Sequence, residues 1–484
     1  MSAEADPNPA RKTRERVLTI FVISHILYET LRRKRAEWMN KFMTQLQRMT
    51  ETPVPKLIIS LSIPTIISML VTNVYNLVDT AFVGTLGNSA SGAVGIVFGF
   101  MAILQAIGFM FGQGSGSIIS RKLGAQDSEG ASIVASTGFI TAFAISIVTE
   151  IICFIFLDSL VMGLGSTTTI APYAKTYISF ILLAAPFTVT SFTLNNILRY
   201  EGKASLGMIG LLIGAVLNIC GDAILMFGLH LGIAGAGIST AVSQIISFSI
   251  LFSMFLRGKT TSKISLRYYR LQHVVLEIAT TGFPSMLRQG LNSFTTVLLN
   301  SEASVYGDPA VAAMSIVSRI TFFTVSIAIG IGQGFQPVSG FNYGAGRFDR
   351  VKKGYFFTIM LSECILVILG LIVFIFSGDL ISIFRNNETV IEIGTRALRL
   401  QCLIQVVMPI CMTTEMLFQS TGNKLFATIL SATRNGLLFI PTLLILARIR
   451  GLAGIQEAQP LASLLSVIPT LFFAFWFFKK QLAE

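Results

Sequence analysis

The chain repeats itself at a spacing of 220 residues. Pro64, in Ser-Ile-Pro-Thr (62–65), is matched by Pro284, in Gly-Phe-Pro-Ser (282–285). Gly112-Gln113-Gly114 is matched by Gly332-Gln333-Gly334, Gly124-Ala125 by Gly344-Ala345, and Gly202 by Gly422. No gap is needed across the first two apolar segments of each half. A repeat of this length in apolar sequence calls for two homologous helical bundles, each with the same helix order and the same close-packing positions.

Apolarity decides where those bundles reside. Of the 484 residues, 53% are hydrophobic and 12% charged, whereas soluble domains carry about 25% charged residues. A helix needs about 20 apolar residues to cross the hydrocarbon. Twelve segments qualify: 57–82, 92–118, 130–157, 171–195, 204–227, 233–256, 276–301, 310–337, 354–376, 394–418, 424–447 and 460–478. The expected fold is therefore an all-α polytopic membrane protein of twelve transmembrane helices in two pseudo-symmetric six-helix lobes. The expected divisions are a basic N-terminal extension (1–55), an N-lobe (56–256), a linker (257–275), a C-lobe (276–478) and a short tail (479–484). Bundles of this kind, facing each other around a central site, are the usual plan of a secondary transporter.

The net charge of +12 does not point to nucleic acid, because the basic residues gather in alternate loops. Eleven precede the first span, from Arg11 to Lys56. Arg121 and Lys122, Arg199 and Lys203, then Arg257, Lys259, Lys263, Arg267 and Arg270 follow spans 2, 4 and 6. Arg347, Arg350, Lys352 and Lys353 follow span 8, and Lys479 and Lys480 follow span 12. The intervening loops are poor in base, with Arg385, Arg448 and Arg450 as exceptions. The positive-inside rule then puts both termini and the linker in the cytoplasm. In the extension, Val17–Tyr28 is too short to span and has basic flanks, which fits an interfacial helix; a natural start at Met39, Met43 or Met49 is the alternative. The five cysteines lie in apolar segments without metal-type spacing, and no phosphate-binding Gly-Lys-Ser/Thr loop occurs. Neither a cofactor nor an ATP engine is expected.

An intramembrane carboxylate is costly and marks a functional site by default. Asp79 closes Asn-Val-Tyr-Asn-Leu-Val-Asp (73–79), and Asp222 closes Leu-Asn-Ile-Cys-Gly-Asp (217–222). Asn218 lies four residues before Asp222, on the same helix face. At 1.5 Å per residue, Asp222 and Thr240 lie about 8–10 Å from the outer ends of their spans, and Asp79 about one turn from its own. All four reach a similar depth. Two carboxylates in low dielectric repel, and a proton or a bare Na⁺ relieves that repulsion. The second half does not copy the set: Asp79 shifts onto Leu299 and Asp222 onto Thr442. Its own intramembrane polar residues are Arg288, Gln289, Asn292, Arg319, Glu415 and Arg434. Arg288 or Arg319 could pair with Glu415.

These motifs resemble those of the multidrug and toxic compound extrusion (MATE) family over residues 50–478. The resemblance is carried by Ile-Pro-Thr-Ile-Ile-Ser-Met-Leu (63–70), Tyr-Asn-Leu-Val-Asp-Thr-Ala-Phe-Val-Gly (75–84) and Ser-Arg-Lys-Leu-Gly-Ala (120–125). It continues in Leu-Asn-Ile-Cys-Gly-Asp (217–222), Gly-Ile-Ala-Gly-Ala-Gly-Ile-Ser-Thr (232–240) and Phe-Gln-Pro-Val-Ser-Gly-Phe-Asn-Tyr-Gly-Ala (335–345). Gly-Phe-Pro-Ser-Met-Leu-Arg-Gln (282–289) is most similar to the MepA-like bacterial branch. The resemblance implies two lobes in a V, open alternately to each side. It implies export of amphiphilic, cationic compounds in exchange for H⁺ or Na⁺ across a bacterial inner membrane. The family's N-lobe cation site maps onto Asp79, Asn218, Asp222 and Thr240; a cavity lined by Tyr75, Asn76, Arg288, Gln289, Asn292 and Glu415 is expected for the substrate. A seventh-helix Glu that serves a C-lobe site in another branch falls on Asn292 here. The expected partners are small amphiphiles and the bilayer, with the chain a monomer and not an enzyme. A lipid-linked precursor flippase of the related superfamily is the alternative, and a cluster of central Arg and Lys residues would favour it.

Overall fold

Helix boundaries reproduce the repeat. The structure, a computed structural model, describes residues 45–480. The N-lobe comprises α1 (Val54–Gly84), α2 (Asn88–Gly124), α3 (Ser128–Ile155), α4 (Ala171–Tyr200), α5 (Ala204–Gly228) and α6 (Gly232–Leu256). The C-lobe comprises α7 (Gln272–Ser304), α8 (Asp308–Gly344), α9 (Phe348–Ile375), α10 (Glu388–Thr421), α11 (Lys424–Arg450) and α12 (Leu452–Lys480). Both ends of α8 and α9 fall 220 residues after those of α2 and α3. Pro64 and Pro284 sit inside the first helix of each lobe, where each removes a helical hydrogen bond and permits a bend. A π-turn ends the fifth helix of the N-lobe at Ala223–Gly228 and interrupts that of the C-lobe at Thr433–Leu437. The Val17–Tyr28 segment and most of the basic extension lie outside the described residues.

Eleven of the twelve helices are long and apolar enough to cross a membrane. The other, α7, has 33 residues, about 50 Å at 1.5 Å per residue, so length is not its limitation. Its sequence is polar because it packs against the opposite lobe: Ser285 Oγ donates to Gln113 Oε1 at 2.7 Å and Gln289 Nε2 to Gln105 Oε1 at 2.8 Å. The outward faces of the bundle carry exposed Ile151, Ile155, Leu371, Phe472 and Phe475, an apolar surface suited to lipid.

The lobes meet where α2 crosses α7 and α8, and where α1 crosses α8. The paired glycines lie at these crossings. A Cβ at Gly114 would meet the Ile278 carbonyl of α7, and one at Gly282 the Met110 carbonyl of α2. At the symmetry-related crossing, a Cβ at Gly334 would meet Ser62 of α1. Gly124 and Gly344 likewise rest on the backbones of Phe341 and Arg121. Small residues let backbones approach and gain dispersion contacts, which drive helix association where lipid removes the hydrophobic effect. Gly282→Leu should therefore destabilise the folded protein by about 1–3 kcal/mol, the usual cost of overpacking, because the obstacle is backbone. A detergent-solubilised variant melting with wild type would refute this.

The even-numbered helices return to the end of the bundle that holds the linker. Inter-lobe hydrogen bonds run from mid-helix to that end: Asn73 Nδ2 to Ser326 Oγ (2.8 Å), Ser62 Oγ to the Ile331 carbonyl (3.3 Å) and Ser117 Oγ to the Gln419 carbonyl (2.6 Å). Gln419 Nε2 also donates to Ser285 Oγ at 2.7 Å, within the C-lobe. Among the described residues no such bond joins the lobes near the far end. The lobes are thus sealed at the linker end.

The linker is also fixed, and shorter than the 257–275 expected, because α7 begins at Gln272. Glu201, at the turn between α4 and α5, is fully buried. Its carboxylate accepts from the backbone N–H groups of Thr261 and Ser262, both at 2.8 Å, from Ser262 Oγ, and from Lys203 Nζ at 3.0 Å. Ser132 and Ser136 of α3 accept from Lys263 N–H and Ser265 N–H, and Thr137 from Arg270 N–H. Glu201→Ala strands these donors and should cost about 3–5 kcal/mol, as for breaking a buried charge network. Thermal unfolding of the purified protein reads this directly, and an unchanged midpoint would show that the clamp contributes nothing.

Candidate cation site and inter-lobe cavity

Asp79 and Asp222 come from helices that pack side by side, α1 against α5. Asp222 is the last α-helical residue of α5 before its π-turn, a local widening that often occurs at functional sites. Asn218 is one turn earlier, and α6 packs on the same face. There Asn218 Nδ2 donates to Thr240 Oγ1 at 3.2 Å, and Ser239 Oγ donates to the Asn218 carbonyl at 2.9 Å. Tyr177 of α4, fully buried, closes the fourth side, with Asp79 and Asp222 both within its electrostatic reach. Asp79 and Asp222 face each other directly.

The acceptors in this pocket lack donors. Both Asp222 carboxylate oxygens, Asp79 Oδ1 and Asn218 Oδ1 are buried without a hydrogen-bond partner, as is the Tyr177 hydroxyl. An unsatisfied buried polar atom costs about 1–3 kcal/mol, and more when charged. Four orphan oxygens on the packed helices α1 and α5 are of the type that binds a hard cation, and a proton on one carboxyl would supply a hydrogen bond to the other. The chain's residues therefore fit either H⁺ or Na⁺. Tyr177 and Ser239 belong to this pocket but were not among the residues singled out by sequence. Ser239 adjoins Thr240, a visible signal, whereas nothing local marks Tyr177.

Tyr75 lies one turn before Asp79 on α1 and within its electrostatic reach, so it adjoins the carboxylate pocket. Asn76 is half-buried on the same helix. The corresponding place in the C-lobe is hydrocarbon. Leu299 is buried in an apolar cluster with Ala303, Val317, Leu398, Phe439 and Leu443. The same scaffold position thus holds charge in one lobe and aliphatic packing in the other.

A small, partly open cavity lies among α1, α2, α4 and α8. It is lined by Thr65, Ser68 and Thr72 of α1, Gln105 and Phe109 of α2, Phe192, Asn195, Asn196 and Arg199 of α4, and Gln333 of α8. None of Tyr75, Asn76, Arg288, Gln289, Asn292 or Glu415 lines it. Arg288 and Gln289 of α7 are spent on partners: Arg288 Nη1 donates to Glu415 Oε1 at 2.6 Å, Ser431 Oγ to the same oxygen at 2.5 Å, and Gln289 bonds Gln105. Asn292 is exposed, and its backbone carbonyl accepts from Thr295 and Thr296. Arg319 is exposed and takes no part in the Glu415 pair, while Arg434 Nε donates to Asn435 Oδ1 at 3.3 Å.

A helical membrane protein with two pseudo-symmetric lobes, a seal at one end and an orphaned carboxylate pair in one lobe has the build of a secondary transporter. The MatE family profile matches residues 64–224 and 284–445, one copy in each lobe. The chain belongs to the MatE family. It is 29% identical to the multidrug export protein MepA of Staphylococcus saprophyticus over 85% of this chain and 91% of that protein. It is 28% identical to MepA of Staphylococcus aureus over the same shares. Among solved structures, it superposes with a TM-score of 0.83 on the outward-facing conformation of a multidrug resistance MATE family transporter of the MOP superfamily, at 27% identity over 88% of this chain and 96% of that one. A MOP superfamily transporter from Pyrococcus furiosus, described as having a binding pocket of reverse polarity, superposes with a TM-score of 0.84 at 27% identity over 90% of this chain and 99% of that one.

Proposed function

We propose that this protein is a secondary-active multidrug exporter that moves amphiphilic compounds, cationic ones among them, out of a bacterial cell in exchange for H⁺ or Na⁺. The observation that carries the reading is the cluster of buried, unpartnered oxygens on Asp79, Asn218 and Asp222. With the basic linker on the cytoplasmic side, the sealed end faces inward and the far end outward. A cation entering from outside takes the carboxylate pocket, draws α1, α5 and α6 together and alters their packing against the substrate. The linker-end seal of Ser62, Ser117, Gln113 and their partners then opens inward, the ion leaves, and a new substrate enters. Coupling requires that ion and substrate bind the two states with different free energy; the pocket supplies this if closing it depends on the ion.

The test is ethidium transport by the purified protein in liposomes, with a pH gradient and a Na⁺ gradient imposed separately. Transport driven by one gradient names the ion. Absence of transport under both would overturn the reading.

A further inference from the structure

We propose that Arg199 forms a subsite for the oxyanion end of an amphiphile, so that the compounds handled by this protein include carboxylate-bearing anions and zwitterions. The inference rests on the export reading and adds a substrate class to it. Arg199 sits in the last turn of α4, 3% exposed, and lines the cavity described above. Its Nη2 donates to Asn196 Oδ1 at 2.6 Å, and its guanidinium carbon lies 5.1 Å from the centre of the Tyr200 ring. Its Nε is buried with no partner. Amide, aromatic face and helix C-terminus each supply partial negative charge, but among the described residues no carboxylate lies within ion-pair distance. The nearest acid in sequence, Glu201, is committed to the linker through Thr261 and Ser262.

Burying an unpaired guanidinium costs several kcal/mol, so the cavity carries positive potential that a ligand can use. Its other walls fit the same ligand. Gln105, Asn195 and Gln333 offer amide donors, and no acidic residue lines it. The cavity measures about 50 Å³, against about 10–15 Å³ needed for one water on this measure. That is room for one carboxylate-sized group, with the apolar body lying on Phe109 and Phe192 at the wall. Arginine presents a planar fork matched to such a group. A drug carboxylate and a lipid phosphate share this chemistry.

The full chain in phosphatidylcholine nanodiscs, titrated with 4-octylbenzoate and its uncharged counterpart 4-octylbenzamide, tests the subsite. Wild type should bind the benzoate at least about tenfold more tightly than the benzamide. Arg199→Gln should bring the ratio close to one, and Arg199→Lys should keep part of it. Equal affinities in wild type overturn the inference whether or not the variants fold, and so does a preference that survives in a folded Arg199→Gln protein. Loss of the benzoate preference on adding phosphatidylglycerol would retain the subsite and assign it to a lipid headgroup. Ethidium transport by wild type, run in parallel, tells failure of this inference from failure of the export reading.

Discussion

Asp222→Asn is expected to reduce gradient-driven ethidium transport to the leak of empty liposomes while leaving the protein as stable as wild type, or more so. The substitution keeps the shape of the side chain but removes the buried charge that faces Asp79 and supplies an N–H to acceptors that have no donor in the wild type. Satisfying one of these acceptors is worth about 1–3 kcal/mol, and the repulsion between the two carboxylates disappears. Transport fails for the same reason. An amide cannot take up or release a proton, and it contributes no charge to hold Na⁺, so the pocket has no cation-dependent state to prefer. Loss of activity together with a raised melting point is the signature of a site that trades stability for function. A mutant that pumps normally would remove Asp222 from the mechanism. One that loses transport only by unfolding would reduce it to a structural residue.

The second large effect is expected from Glu415. Its carboxylate is 3% exposed and receives Arg288, itself 16% exposed, and Ser431. Glu415→Ala leaves the guanidinium without its counterion in a dry lobe and should cost about 3–5 kcal/mol. Replacing both partners with apolar residues of similar volume, Arg288→Met with Glu415→Leu, should recover most of that loss, because the cost of desolvating two charges disappears with them. Thermal unfolding of the two variants in one detergent decides between them. If the double variant is as unstable as the single one, the pair does more than neutralise itself. If it is stable and still transports ethidium, the second lobe needs no charge to do its part.

How much of this was readable beforehand depended on whether the signal was local. The repeat, the span count and the shared depth of Asp79, Asn218, Asp222 and Thr240 follow from spacing along single helices, and the structure gathers those four residues around one pocket. The fate of the α7 side chains did not follow. Arg288, Gln289 and Asn292 read as cavity residues because polar groups in a membrane usually face water. Asn292 is exposed, but Arg288 and Gln289 face other protein: Glu415 is 127 residues away and Gln105 is 184, pairings that no periodicity encodes. Tyr177 and Arg199 were missed for the same reason. A buried tyrosine near one end of a span, or an arginine near the other, reads as an interfacial anchor until a neighbouring helix encloses it.

The clamp on the linker sets the mechanical character of the molecule. Every linker contact described above, from the Glu201 carboxylate to Thr137, belongs to the N-lobe, and the last of them holds Arg270. Gln272 already lies within the first helix of the C-lobe. The covalent connection therefore has one or two residues of free play. Whatever motion the lobes make relative to each other, the start of α7 stays within a residue or two of the N-lobe surface at Thr137, so the halves are tethered at that end.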